Sequence, residues 1–215
     1  MPFSINDFLN VFRDYNTTVF PFQVVLFGSA IYIIYLIRNV NRYSNKIISA
    51  ILTFYWLWIG ITYHILFFSR INPAAYIFGI IFILQGILFF KVGFIDKKLV
   101  FEISKTWKTY IGALFVLYAL IIYPVLGYTG GHIYPESPTF GLPCPTVIFT
   151  FGILLWAKNK FPVYILLIPF IWSIIGISAA INLGMKEDFG LIVAGLIGSS
   201  IIISENIKSR KIEKV

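Results

Sequence analysis

The chain has 215 residues, of which 59% are apolar, 19% aromatic and only 12% charged; ordinary soluble domains run at about 45 to 50% apolar and about 25% charged. This composition excludes a water-soluble globule, and at roughly 20 residues per crossing the length accommodates about seven membrane helices and no separate soluble domain. The net charge of +8 does not point to nucleic acid, because the basic residues stand singly or in pairs beside apolar runs rather than in a stripe; the partner they imply is the lipid bilayer.

Residues 1–17 carry Asp7, Arg13 and Asp14 and lack a basic n-region followed by an apolar h-region and a small-residue cleavage site, so no removable leader is expected. Ser4 followed by Asp7 has the pattern of a capping box, and Ile5, Phe8, Leu9 and Phe12 would share one helical face. An amphipathic helix over residues 4–14 follows, either lying on the outer interface or folded over the bundle mouth as a lid. Apolar runs long enough to cross a hydrocarbon core of roughly 30 Å lie near residues 18–37, 47–68, 74–95, 107–128, 141–157, 161–183 and 188–204. The fifth is the weakest, since it begins in the Pro-rich stretch Pro138 to Pro145, where Pro143 and Pro145 suit a helix start better than an interior. The expected organisation is therefore an interfacial segment (1–17), an all-α seven-helix membrane domain (18–204) and a basic cytoplasmic tail (205–215).

Lys and Arg beside membrane spans tend to stay on the cytoplasmic side. With the N-terminus outside, Arg38, Arg42, Lys46, Lys91, Lys97, Lys98, Lys105, Lys108, Lys158, Lys160, Lys208, Arg210, Lys211 and Lys214 fall on or near the inner face, and only Arg13, Arg70 and Lys186 fall outside. The bias runs the same way at every loop, supports an odd number of spans, and suits the cytoplasmic membrane of a bacterium.

Three matched segments suggest an internal repeat. Pro21 to Gly28 aligns without a gap to Pro145 to Gly152; Asn45-Lys46 leading to Trp58 has the spacing of Asn159-Lys160 leading to Trp172; and Phe78-Gly79-Ile80-Ile81 resembles Phe189-Gly190-Leu191-Ile192. Spans 1–3 and 5–7 would then form a parallel repeat joined by span 4, a 3+1+3 plan similar in architecture, though not in residue motifs, to the small sugar facilitators of the SWEET type.

No Asp or Glu sits deep in any span, which argues against a pump built on a buried carboxylate, and the last span has no lysine for a retinal Schiff base. Neutral polar and aromatic groups collect toward the outer half instead: Tyr63 and His64 in span 2, Gln85 deeper in span 3, Tyr123 in span 4, Asn182 in span 6, and Trp58 and Trp172 near mid-span. Together with His132 they form the expected ligand-binding set, an aromatic pocket with a few amide and hydroxyl groups for a small polar solute. The competing reading is that these groups serve interfaces and helix packing alone. His64, His132 and Glu136, with Cys144 nearby in sequence, define a second option, a metal site or a bis-histidine haem site of an outer-face membrane enzyme, although their spacing matches no short metal motif. A third is a non-catalytic accessory subunit or oligomer packing through span 7, where Gly190, Gly195, Gly198, Ser199 and Ser200 permit close approach. The loop from Gly127 to Pro145 holds four of the ten prolines and either caps a vestibule or only bridges spans 4 and 5.

The segments Tyr63-His64 through Ile71-Asn72-Pro73-Ala74-Ala75, Gly131-His132-Ile133-Tyr134-Pro135 and Pro138 to Thr146 resemble those of an uncharacterised family of bacterial integral membrane proteins. The resemblance covers most of the chain and implies a multi-span membrane protein; it carries no catalytic residue with it.

Overall fold

The computed structural model describes residues 3–158 and 160–212, and its regular elements are helices, with no strand among the described residues. Asn159, part of the suggested repeat, and Lys214, in the basic tail, lie outside the described residues.

Helix α1 (Ile5–Val19) starts with both halves of the capping box: the Asp7 N–H donates to Ser4 Oγ and the Ser4 N–H donates to the Asp7 carboxylate. Its buried face is Phe8, Val11, Phe12, Tyr15 and Asn16, the i, i+3, i+4, i+7, i+8 stripe of a core-facing helix. Ile5, expected on this face, is exposed. The chain then turns by 85° into α2 (Phe22–Arg38), so α1 lies across the end of the bundle, with Phe12 and Tyr15 against Tyr63 and Phe8 against Phe68. The buried face of α1 packs on the bundle end, an arrangement that both the interfacial and the lid readings accommodate. The Ser4 hydroxyl and N–H hold the Asp7 carboxyl below its usual value of 3.8. A depressed folded value means the cap stabilises α1 above that usual value and is lost as pH falls through the folded one. Amide exchange in the first turn of α1 is expected to rise below pH 4, and Asp7→Asn should remove that pH dependence.

Among the described residues five helical stretches are long and apolar enough to cross a membrane: Ser44–Arg70, Ala75–Ile95, Trp107–Thr129, Val163–Asn182 and Lys186–Ile207. The bent α1–α2 pair makes a sixth if taken as one span. The expected fifth span, α7 (Pro143–Leu155), has 13 residues, roughly 20 Å of helix, which is short of a hydrocarbon core of about 30 Å. It cannot begin earlier. Pro143 occupies its first turn, and Gly141 before it adopts φ +99, a left-handed conformation that terminates regular structure. From Pro145 to Leu155 every residue of α7 is buried, as expected for a helix apolar on all sides at the centre of a bundle.

α7 packs along α5 (Trp107–Leu117) and α9 (Phe189–Ile212). Where α5 and α7 cross, Gly112 and Gly152 face each other: a Cβ on either would stand 2.8 Å from the other's carbonyl oxygen. A second reciprocal pair, Gly60 and Gly79, joins the helix that follows α3 (Ser44–Trp58) to α4 (Ala75–Phe89). Small residues at both crossings allow backbone-to-backbone approach. In span 7, Gly198 lies against the Phe151 ring and Gly195 against Ser173, so these two glycines serve packing within the chain.

The two halves of the suggested repeat are not packed alike. α2 lies along α3 and has at most marginal contact with α4, whereas α7 lies heavily along α9. The aligned tryptophans also differ: Trp58 Nε1 donates to the Tyr15 hydroxyl at 2.8 Å, while Trp172 meets no such hydroxyl and interacts with the Cys144 side chain. The helix packing gives the 3+1+3 repeat no support beyond its chain order.

At the end opposite α1, two connecting loops pair through an antiparallel bridge between Phe101 and Ala157. Asn45 Oδ1 accepts the Phe101 N–H at 3.0 Å, and Lys158 pairs with Glu102 at 2.7 Å. The loops and helix ends on this side carry Arg38, Arg42, Lys46, Lys97, Lys98 and Lys105.

Candidate functional site

The site is organised by the start of the last helix. Lys186-Glu187-Asp188 form a 3-10 turn leading directly into α9. Both carboxylates are buried, Glu187 at 0% and Asp188 at 2% exposure. Their position at the amino end of a long helix is electrostatically favourable for negative charge, but burial requires hydrogen-bond partners as well.

Two tyrosines from one helix bond this turn, one at the Asp188 carboxylate and one at the Glu187 backbone carbonyl. In an α-helix, residues five apart point about 140° away from each other. Tyr118 and Tyr123 are five apart, but a π turn over Tyr118–Ile122 separates them, closed by the Tyr123 N–H donating to the Tyr118 carbonyl. This i→i+5 register stacks them on one face. Pro124, which lacks an N–H, follows in the first turn of α6 (Tyr123–Thr129) and accounts for the break in α-helical bonding. The Tyr123 hydroxyl donates to Asp188 Oδ1 at 2.5 Å, and the Tyr118 hydroxyl donates to the Glu187 carbonyl at 2.8 Å. Glu187 Oε1 lies 2.9 Å from His132 Nδ1, and Glu187 Oε2 has no hydrogen-bond partner. The Cys144 side chain interacts with both Asp188 and Trp172.

Asp188 forms part of the wall of a cavity of about 170 Å³. Tyr63, Phe68, Phe78 and Trp172 line it from the bundle, Phe8 and Phe12 of α1 from above, and Cys144, Asn72 and Ser178 add polar edges. Removing the hydroxyl in Tyr123→Phe leaves Asp188 Oδ1 without its short donor; a loss of about 1 to 3 kcal/mol is expected, measured by thermal unfolding in detergent against wild type.

The residues expected from sequence divide into three groups. Tyr63, Tyr123 and Trp172 line the cavity, whereas His132 stands outside it, bonded to Glu187. His64 stands behind the wall, fully buried, with its ring centroid 4.7 Å from Phe82 and 5.0 Å from Trp172 and neither nitrogen hydrogen-bonded. The remaining three serve the scaffold: Trp58 bonds Tyr15, Gln85 Nε2 donates to the Ile165 carbonyl at 2.9 Å, and Asn182 is exposed and donates to the Ser178 carbonyl. The metal set does not assemble. Glu136 pairs with Arg13 and His132 with Glu187, while His64 is enclosed by aromatic rings. Among the described residues no group of three His, Cys, Asp or Glu side chains can hold a metal ion.

Sequence reasoning did not place Glu187 and Asp188 in the site, because Glu187 precedes the last apolar run and Asp188 only opens it, where charged residues usually meet water. Their signal was an acidic pair immediately before a long apolar run, the signature of a helix amino terminus.

The architecture is that of a multi-helix bundle with apolar helices of membrane-crossing length and a small aromatic cavity, bordered by a buried carboxylate, at one end. The chain belongs to a family of unknown function, DUF6064, whose model matches residues 5–213. No curated protein and no solved structure matches it.

Proposed function

We propose that the protein is a small integral membrane facilitator or binding protein for a small polar solute, with its site facing the outer side of a bacterial cytoplasmic membrane. The observation that carries this reading is the cavity of about 170 Å³ beneath α1, apolar in its walls and bordered by Asp188, Asn72 and Ser178. An apolar, largely preformed pocket with a few convergent polar groups is the usual form of a small-molecule site. Water takes about 30 Å³ per molecule in the liquid, so the space suits a solute of only a few heavy atoms.

In this reading the chain crosses seven times with its N-terminus outside. The short α7 completes its crossing because residues 138–142 continue it as irregular chain inside the protein, which membranes tolerate. The basic residues gathered opposite α1 support the orientation. The order of three spans, one, and three supports a likeness in topology to the SWEET-type facilitators, without a common packing of the halves.

Proteoliposomes test the proposal. Flux of at least one small neutral, cationic or anionic solute is expected above that of empty vesicles, and Ser178→Phe, which fills the cavity, should remove it. Flux equal to empty vesicles for all three sets, together with no shift in melting temperature by any of those solutes, overturns the reading.

A further inference from the structure

We infer that the solute taken by this cavity is a small organic cation, an amine or quaternary ammonium, seated between the Asp188 carboxylate and the aromatic walls. The inference rests on the solute-site reading above and names its chemical class.

A buried carboxylate needs hydrogen bonds and an opposite charge. Asp188, 2% exposed, accepts one hydrogen bond from Tyr123 and neighbours the Cys144 thiol. The amino end of α9 adds a partial positive charge of roughly half a unit. Among the described residues no Lys, Arg or His forms an ion pair with Asp188, and His132 is engaged by the neighbouring Glu187. The carboxylate therefore borders an open space with its charge incompletely balanced.

The rest of the cavity suits the missing charge. Aromatic faces attract cations through their quadrupoles, Trp most strongly, and Trp172, Tyr63 and Phe68 line the same space. An anion finds little here, since no Lys or Arg lines the cavity. Trp172 is 8% exposed and the polar edge of its ring meets only the Cys144 side chain, so the indole serves the cavity chiefly as an aromatic wall.

The test uses purified full-length protein in mild detergent and isothermal titration with choline and with 3,3-dimethylbutan-1-ol, its uncharged isostere. Wild type is expected to bind choline tighter than the alcohol by roughly thirtyfold or more, the scale of a desolvated charge pair. Asp188→Asn is expected to abolish that preference while leaving the weak binding of the alcohol. The wild-type comparison stands even if the variant fails to fold. Equal binding of the two probes, or a choline preference that survives in Asp188→Asn, overturns the cation assignment. So does an absence of choline binding, and flux of neutral solutes in the Ser178-sensitive proteoliposome assay would then show that the solute site itself stands.

Discussion

Asn16→Asp is expected to detach the chain between residues 127 and 145 from the rest of the protein and to cost roughly 3 to 5 kcal/mol, the range for a buried charge left uncompensated. Asn16 is fully buried, yet every hydrogen-bonding atom of its amide is used. Nδ2 donates to the carbonyls of Pro135 and Ser137 at 2.6 and 2.7 Å, and Oδ1 accepts from Thr139 Oγ1 at 2.9 Å and from Gln23 Nε2. One side chain of α1 thus ties together α2 and the Pro-rich segment. The isosteric aspartate keeps the acceptors but turns a carboxylate oxygen toward two carbonyls, so two attractions become repulsions at low dielectric. Limited proteolysis within residues 127–142 and thermal unfolding both read the effect. Thr139→Val, which removes the bond donated to Asn16 and the one accepted from Gln23 but buries no charge, should cost only about 1 to 3 kcal/mol.

Gly152→Leu should be the most damaging substitution in a helix crossing, about 3 kcal/mol or more, at the upper end of overpacking effects. A Cβ at Gly152 meets the Gly112 carbonyl and Val116 Cγ2 at 2.8 Å and the Val116 backbone nitrogen at 3.1 Å. Two of these atoms are backbone, so relief requires α5 and α7 to separate. Gly28 makes the control. It is the counterpart of Gly152 in the aligned segments, but a Cβ there meets nothing within 4 Å, and Gly28→Leu is expected to stay within about 0.5 kcal/mol of wild type. A true structural repeat would give the two substitutions similar effects; melting temperatures in detergent distinguish the outcomes.

That contrast shows where sequence reading succeeded and where it stopped. Composition and apolar run length foretold a helical bundle with membrane-length helices, because both are properties of the chain itself. The capping box at Ser4 and Asp7 was equally legible, being local. The repeat was less legible, because apolar segments drawn from few residue types match easily, and a matching glycine says nothing about what lies opposite it. The burial of Glu187 and Asp188 depends on Tyr123 arriving from another helix through a π turn, a register shift that periodicity at 3.6 residues does not reveal. For the same reason the two histidines looked like potential co-ligands: both were expected at one end of the bundle, yet one is enclosed by Phe78, Phe82 and Trp172 and the other is held by Glu187.

Cys144 tests the proposed outward orientation of the cavity most directly, since it is the only cysteine in the chain and lines that space beside Asp188. In right-side-out vesicles, a small membrane-impermeant methanethiosulfonate added outside is expected to label Cys144, and Ser178→Phe should slow that labelling strongly. Labelling only when the reagent is admitted to the vesicle interior, or outside labelling that Ser178→Phe leaves unchanged, would contradict an outward-facing cavity.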